Sequence, residues 1–315
     1  MIRLIGAEVI RLLSRRFTLI AVIVVLLALC AFQLVVNEQL QPPSAAEQAA
    51  AQRAYEQEHQ SWETNERSCA EAGSPADCRY DEPRLSDYTF VLPFDEVVSE
   101  SLQVAIYLVA LVALMVAGSF IGAEYSTGSL ANWLSFIPRR GHVFASKLVT
   151  IVVFSALVSA AGAGLVLGGA LLLAGLYDIP VTKLAAQTSM LGRGVLVAVA
   201  LAVVGFCVGL VGRHTAAAIG ALLGYLFVWF VRNAILAEAE WAQRLTPWTP
   251  EGNLAAIVNR GYQYYVPVRY VAPEGVSIDY VERTVSLTHG LLFWAAVTAV
   301  IIVGSALIFR RRDVS

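Results

Sequence analysis

Apolar and polar positions follow one another along this chain in long blocks. Six apolar runs of roughly twenty residues are separated by polar stretches. A helix of about 20 residues is about 30 Å long, which is enough to cross the hydrocarbon core of a bilayer. The pattern therefore predicts an all-α polytopic membrane protein with six transmembrane helices. The predicted spans are 17–36, 102–123, 148–177, 194–212, 215–236 and 287–309.

These blocks divide the chain into five regions. The predicted regions are 1–36, an interfacial helix and the first span; 37–101, an extracellular insert; 102–237, spans two to five with a cytoplasmic loop at 124–147; 238–286, an extracellular segment; and 287–315, the sixth span with a basic tail. The first sixteen residues form an amphipathic helix that is expected to lie in the membrane interface, with arginines on its polar face. Arg232, near the outer end of the fifth span, is expected to snorkel toward the headgroups.

Composition agrees with a membrane protein, because 57% of the residues are hydrophobic. The net charge of −2 says little, since basic residues concentrate at both termini and in the two short loops. By the positive-inside rule, both termini are expected in the cytoplasm. Basic residues are almost all arginine, with Lys147 and Lys183 as the lysines. This usage favours a GC-rich bacterium and therefore a bacterial plasma membrane.

The insert at 37–101 carries fourteen acidic and four basic residues, so we expect it to be solvated. Ser44 and Glu47 have the spacing of a capping box, which predicts a helix in its first half. Cys69 and Cys78 lie on the exterior side of the predicted topology and are expected to form a disulfide, which would contribute roughly 2–3 kcal/mol. Two free surface thiols are the alternative. In the segment at 238–286, Thr249 is expected to start a short helix, and a hairpin is expected around 273–275.

The polar stretch 124–147 contains a second amphipathic pattern. Leu130, Trp133, Leu134 and Ile137 recur at i, i+3, i+4 and i+7, which predicts a short helix with one apolar stripe. Gly128 lies at its flexible start, and a proline lies at its end. An ordinary interfacial loop helix is the simpler interpretation of this pattern.

The same stretch resembles the first cytoplasmic loop of the permeases of type-2 ATP-binding-cassette exporters. The resemblance rests on an acidic residue after an apolar helix, a Gly-Ser-Leu step, a proline followed by bases, and a lysine that opens the next helix. The residues concerned are Gly122-Ala123-Glu124, Gly128-Ser129-Leu130, Pro138-Arg139-Arg140 and Lys147-Leu148. The ending Phe309-Arg310-Arg311-Arg312-Asp313 is similar to the Arg-Arg-Asp ending of many members.

The resemblance implies that this loop couples the permease to an ATP-binding-cassette ATPase subunit. The implied coupling residues are Glu124, Gly128, Leu130, Trp133, Leu134, Ile137, Pro138, Arg139 and Arg140. ATP and Mg are then expected in the partner chain, with no cofactor in this one. The resemblance also implies a second permease copy. Gly220 and Gly224, or small residues of the first span, are predicted for that contact. Four small-xxx-small pairs occur, Gly118 with Gly122, Gly164 with Gly168, Gly205 with Gly209 and Gly220 with Gly224, and most of them are predicted to serve internal packing.

Other sources of energy or chemistry have sequence signatures that this chain lacks. Asp, Glu and His are absent from the middles of the predicted spans, which argues against an ion-coupled carrier. Neither a phosphate-binding G-x-x-x-x-G-K-[ST] motif nor H-E-x-x-H occurs. We therefore expect a permease subunit, without its own ATPase or a metal site, that exports an amphipathic, drug-like or lipidic compound. Its expected partners are the ATPase, a second copy and membrane lipid, but no nucleic acid. A non-transporting membrane scaffold or sensor with a ligand-binding extracellular insert is the alternative, and a membrane hydrolase is a third.

Overall fold

The computed structural model describes residues 2–71, 81–89, 92–136, 139–272 and 275–311. This part of the chain is mostly helical and includes one antiparallel pair of strands. The α-helices are α1 (Ile2–Leu13), α2 (Arg16–Leu40), α3 (Ala45–Glu71), α4 (Phe94–Ser126), α5 (Ser129–Phe136), α6 (Arg140–Leu176), α7 (Leu184–Gly212), α8 (Thr215–Phe230), α9 (Glu240–Arg244), α10 (Pro250–Asn259) and α11 (Leu287–Arg311). The strands are β1 (Gly261–Ala272) and β2 (Gly275–Ser286).

Six of these helices in the described part are long and apolar enough to span a membrane, as the sequence predicts. They are α2, α4, α6, α7, α8 with the π-helical turn Val231–Ile235 that continues it, and α11. Several extend beyond the predicted apolar runs; α4, for example, begins at Phe94 instead of residue 102. The reason is that backbone hydrogen bonds continue wherever the residues are good helix formers, and hydropathy does not stop them.

The bundle is organised around α4 and α7, which make the most extensive helix–helix contact. In each, 61% of the most apolar window is buried, against 6% for α8, which lies along the outside. Close approach depends on glycine, because a Cβ on Gly205 would collide with the carbonyl group of Leu114 and one on Gly118 with Ala218. These glycines confirm the predicted internal packing. Around Gly164 and Gly168, by contrast, the described chain leaves open space.

The insert begins with the predicted helix, α3. The backbone N–H of Ser44 donates to Glu47 Oε2 over 2.7 Å, and the backbone N–H of Glu47 donates to Ser44 Oγ over 3.3 Å, which completes the capping box. The Ser44 hydroxyl also donates to Glu47 Oε2 over 2.7 Å, and this hydrogen bond, followed by the one from the Ser44 backbone N–H, lowers the pKa of the Glu47 carboxyl. Cys69 lies near the end of α3. Cys78 lies outside the described residues, so the disulfide stays a prediction.

The segment between α8 and α11 contains the expected short helix and hairpin. Thr249 Oγ1 accepts a hydrogen bond from the Gly252 N–H at the start of α10. Strands β1 and β2 pair in one register from Gly261–Ser286 to Ala272–Gly275. Helix α11 follows β2 directly, so the hairpin is connected to the sixth span without a linker.

Candidate functional site

Five charged side chains meet at the end of the bundle where α4 ends and α6 begins. We call this group the charge cluster: Glu8, Arg11, Arg15, Glu124 and Lys147. The Lys147 Nζ donates to Glu8 Oε2 over 2.7 Å and lies 2.6 Å from Glu124 Oε2. Arg11 Nη1 and Arg15 Nη2 lie 3.8 and 3.9 Å from Glu124 Oε1. The cluster therefore joins α1, the connection to α2, α4 and α6.

Burial gives the charges of this cluster a large desolvation cost. Glu8, Glu124 and Lys147 are at most 1% exposed, whereas Arg11 and Arg15 keep about a quarter to a third of their side chains exposed. Three cations and two carboxylates give the group a formal charge of +1. Taking such groups out of water has a large desolvation cost, which only short and well-oriented contacts offset. The three fully buried members are consequently held at fixed positions.

Aromatic rings complete the surroundings of the cations. The Arg11 guanidinium lies 4.6 Å from the centroid of the Trp133 ring, and Lys147 Nζ lies 4.9 Å from that of Phe120. Arg15 also donates to the backbone carbonyl of Ser119 over 3.0 Å. The contact with Trp133 links the charge cluster to α5.

Helix α5 is the short helix that the stretch 124–147 predicts, and it has two distinct faces. Leu130 is fully buried, and Trp133 and Leu134 are half-buried against the same apolar core. The opposite face is exposed and ends in Phe136, whose side chain is 77% exposed. The three described residues of the predicted stripe therefore pack inward, and the outward surface of the described helix is formed by Ala131, Asn132, Ser135 and Phe136.

The turn that separates α4 from α5 depends on Gly128. Its φ of +69° lies in the left-handed region that favours glycine, and a Cβ there would meet nothing within 4 Å. Glycine is therefore favoured here by the backbone conformation, and the space around it would admit a larger residue. Of the other residues predicted for coupling, Ile137 and Pro138 lie outside the described residues.

Arg139 and Arg140 do not join the charge cluster. Arg139 immediately precedes α6, and Arg140 begins it. Both line an open pocket of about 750 Å³ that is completed by the last turns of α11. Arg140 Nη1 donates to the backbone carbonyl of Phe309 over 3.4 Å, which holds the two helix ends together.

A second polar group lies where α8 meets α10. Arg232 Nη2 is 2.9 Å from Glu251 Oε1, and the hydroxyl of Tyr225 donates to Glu251 Oε2. The expectation that Arg232 snorkels stays a prediction; in the structure its partly buried guanidinium pairs with a carboxylate on α10. Tyr225 and Glu251 lie at the edge of an apolar cavity of about 260 Å³ between α8 and the central helices.

The two glycines predicted for a dimer contact lie on the exposed side of α8. Both are exposed, and a Cβ at either would meet nothing within 4 Å in the described chain. Within the described ranges, Gly220 and Gly224 thus pack against no other part of the chain. Among the described residues, no group of three or more His, Cys, Asp and Glu side chains is arranged to hold a metal ion.

Sequence reasoning missed Glu8, which is the most buried member of the charge cluster. It placed Arg11 and Arg15 on the polar face of the N-terminal helix but gave them no partner, and in the structure both reach Glu124. A signal was present: Glu8 follows Ile5 by three residues and precedes Leu12 by four, so it lies on the apolar stripe. A lone carboxylate on such a stripe indicates a buried cationic partner.

Comparison with known families places the chain in a family whose activity is not described. Residues 86–315, well over half of the chain, match the model of a family described as "Protein of unknown function (DUF2705)". The matched region begins before α4 and includes every later helix. No curated protein matches the chain.

Proposed function

We infer that this chain, which belongs to the DUF2705 family of proteins of unknown function, is the membrane-spanning permease subunit of an ATP-driven exporter. In this proposal a separate ATPase subunit binds the exposed face of α5. The spans form the path for an amphipathic, drug-like or lipidic compound. ATP and Mg belong to the partner subunit.

The observation that carries the proposal is the two-faced geometry of α5. Its inner face is buried in the core, while its outer face presents a phenylalanine that is 77% exposed beyond the end of the bundle. A large exposed aromatic is a typical interface anchor. Because Trp133 contacts Arg11 of the charge cluster, a force on α5 is passed to α1, α4 and α6 together.

The apolar cavity beside α8 supports an amphipathic substrate. Its walls are almost entirely aliphatic, and its edge has the polar group of Tyr225 and Glu251. Ligand sites in proteins commonly combine an apolar wall with a few placed polar groups. The cavity lies between α8 and the central pair, so movement of α8 would change its size.

Charge distribution supports a cytoplasmic location for α5. The charge cluster, Arg139, Arg140 and the end of α11 all lie at the same end of the bundle. By the positive-inside rule this end faces the cytoplasm, where an ATPase subunit would be found. A second permease copy would place its spans against the exposed face of α8, which includes Gly220 and Gly224.

Two variants and one control test this function. Phe136→Asp should reduce copurification of an ATPase subunit at least tenfold, because it places a charge at an interface anchor. Trp133→Ala should keep more of the complex but reduce substrate-stimulated ATP hydrolysis in nanodiscs. Phe17→Ala, which removes an aromatic side chain that is 44% exposed at the start of α2, should change neither. Unchanged values for both α5 variants would refute the role of α5.

One observation favours the alternative of a membrane sensor. The end of α2, the start of α3 and Tyr88 enclose an open groove of about 840 Å³ that carries Glu38 and Glu47. Such a groove suits a cationic or hydrogen-bonding ligand. If the chain purifies from native membranes without an ATPase, and a ligand binds the insert, this second function replaces the first.

A further inference from the structure

We propose that the pocket between the start of α6 and the end of α11 binds the headgroup of an anionic phospholipid. The pocket has a volume of about 750 Å³ and is lined by Arg139, Arg140, Gly141, His142, Phe144, Ala306 and Arg310. This site is separate from the exposed face of α5 and from the cavity beside α8. The proposal requires only that the chain spans a membrane.

Its described lining is rich in positive charge. Arg139, Arg310 and His142 contribute side chains beside Arg140, and none of the described lining residues is Asp or Glu. The first turn of α6 begins with cations and contains no acidic residue. The helix dipole makes positive charge unfavourable at this end of a helix. An anion in this pocket would relieve that repulsion. A zwitterionic headgroup would bring its own cation and gain less.

The depth of the pocket matches a lipid headgroup. Arg140 and Arg310 mark the places where two membrane-spanning helices leave their apolar sections. Ala306 lies one turn deeper on α11, and Phe144 lies one turn deeper on α6, where it contributes an apolar wall. A phosphate held by the arginines would thus have its acyl chains beside apolar side chains. Basic pockets between transmembrane helices on the cytoplasmic side bind anionic headgroups in this manner.

Two of the arginines are available for such a contact. The side chains of Arg139 and Arg310 are exposed, and neither has a carboxylate within ion-pair distance in the described ranges. Arg140 has a different role, because its hydrogen bond to the Phe309 carbonyl holds the pocket walls together. Arg139 and Arg310 are therefore the residues to change.

Native mass spectrometry of the purified full chain, titrated with phosphatidylglycerol or phosphatidylcholine, tests the proposal. The double variant Arg139→Gln/Arg310→Gln should bind phosphatidylglycerol roughly 30-fold more weakly, given the usual effect of one basic residue near an anionic surface. Phosphatidylcholine binding should change little. The matched control Arg3→Gln/Arg16→Gln removes two exposed arginines outside the pocket and should retain most phosphatidylglycerol binding.

Three results would overturn the site. Equal losses in the pocket variant and the control would indicate diffuse surface charge. Full displacement of the lipid by inorganic phosphate in moderate excess would indicate a site for free phosphate. Unchanged lipid binding with loss of a copurifying protein would assign the arginines to a protein contact. If the double variant does not fold, as judged by size exclusion and circular dichroism, Arg139→Gln and Arg310→Gln are measured separately and should each show about a fivefold loss.

Discussion

The charge cluster allows a quantitative test, because Lys147 makes short contacts, at 2.7 and 2.6 Å, with both buried carboxylates. At an effective dielectric constant of about 20, two unit charges 2.7 Å apart attract by about 6 kcal/mol, and desolvation cancels part of this. The arginines lie 3.8–3.9 Å from their carboxylates and are partly exposed, so they replace the lysine only incompletely. Lys147→Met should therefore destabilise the protein by about 3–5 kcal/mol, the usual result of leaving a buried charge unpaired.

Glu8→Gln changes the other member of the Glu8–Lys147 ion pair. Combining it with Lys147→Met shows how much of the destabilisation comes from lost charge compensation and how much from lost packing. Alone it should also be strongly destabilising, since it leaves Lys147 with one carboxylate instead of two. The double variant should be more stable than the sum of the single effects predicts, by about 1–3 kcal/mol, because residues in one ion-pair network do not act additively. Both substitutions keep the side-chain volume close to the original.

The assay is unfolding of the purified protein in mixed micelles, followed by far-ultraviolet circular dichroism. Glu63→Gln is the control, since it breaks an exposed ion pair with Arg67 at 3.1 Å and should change the free energy of unfolding by at most about 0.5 kcal/mol. The reasoning is refuted if Lys147→Met is no more destabilising than this control. It is also refuted if the effects of Glu8→Gln and Lys147→Met simply add.

Two further predictions concern packing and the insert. Gly205→Ala should destabilise the fold by about 1–3 kcal/mol, because the new Cβ meets the backbone carbonyl of Leu114. Gly220→Ala is the control, since its Cβ would have open space and should not destabilise the fold. The same unfolding assay compares the two variants. Cys69 and Cys78 should form a disulfide, so non-reducing mass spectrometry should find a linked peptide, and alkylation of both thiols in native membranes would contradict the prediction.

Hydropathy was sufficient to predict the six spans, since twenty apolar residues in a row have few alternatives to a membrane helix. Local chemistry predicted the smaller elements as well. The Ser44 and Glu47 pair predicted the start of α3, and Thr249 predicted that of α10, because a capping side chain acts within three residues. These features depend on near neighbours in the chain and can therefore be read from it.

The charge cluster depends on contacts between residues that are far apart in sequence. Glu8 and Lys147 are separated by 139 positions, and one-dimensional periodicity contains no information about which helices meet. The α5 stripe illustrates the same limit. Its spacing shows that Leu130 and Trp133 share a face, but only the packing of α4 and α1 shows that this face is turned inward.

On the proposed function, the buried pairs of Lys147 determine which parts of the protein move together. Ion pairs at 2.6–2.7 Å in a dry environment lose attraction steeply as they separate, and each separated group would then be buried without a partner. Displacement of α5 is therefore expected to carry α1, the end of α4 and the start of α6 as one unit. Since α6 and α4 continue across the bundle, a small shift at this unit reaches the helices that surround α7. If the chain is a permease as proposed, the amphipathic helix α1 takes part in transmitting this motion, because its carboxylate completes the unit.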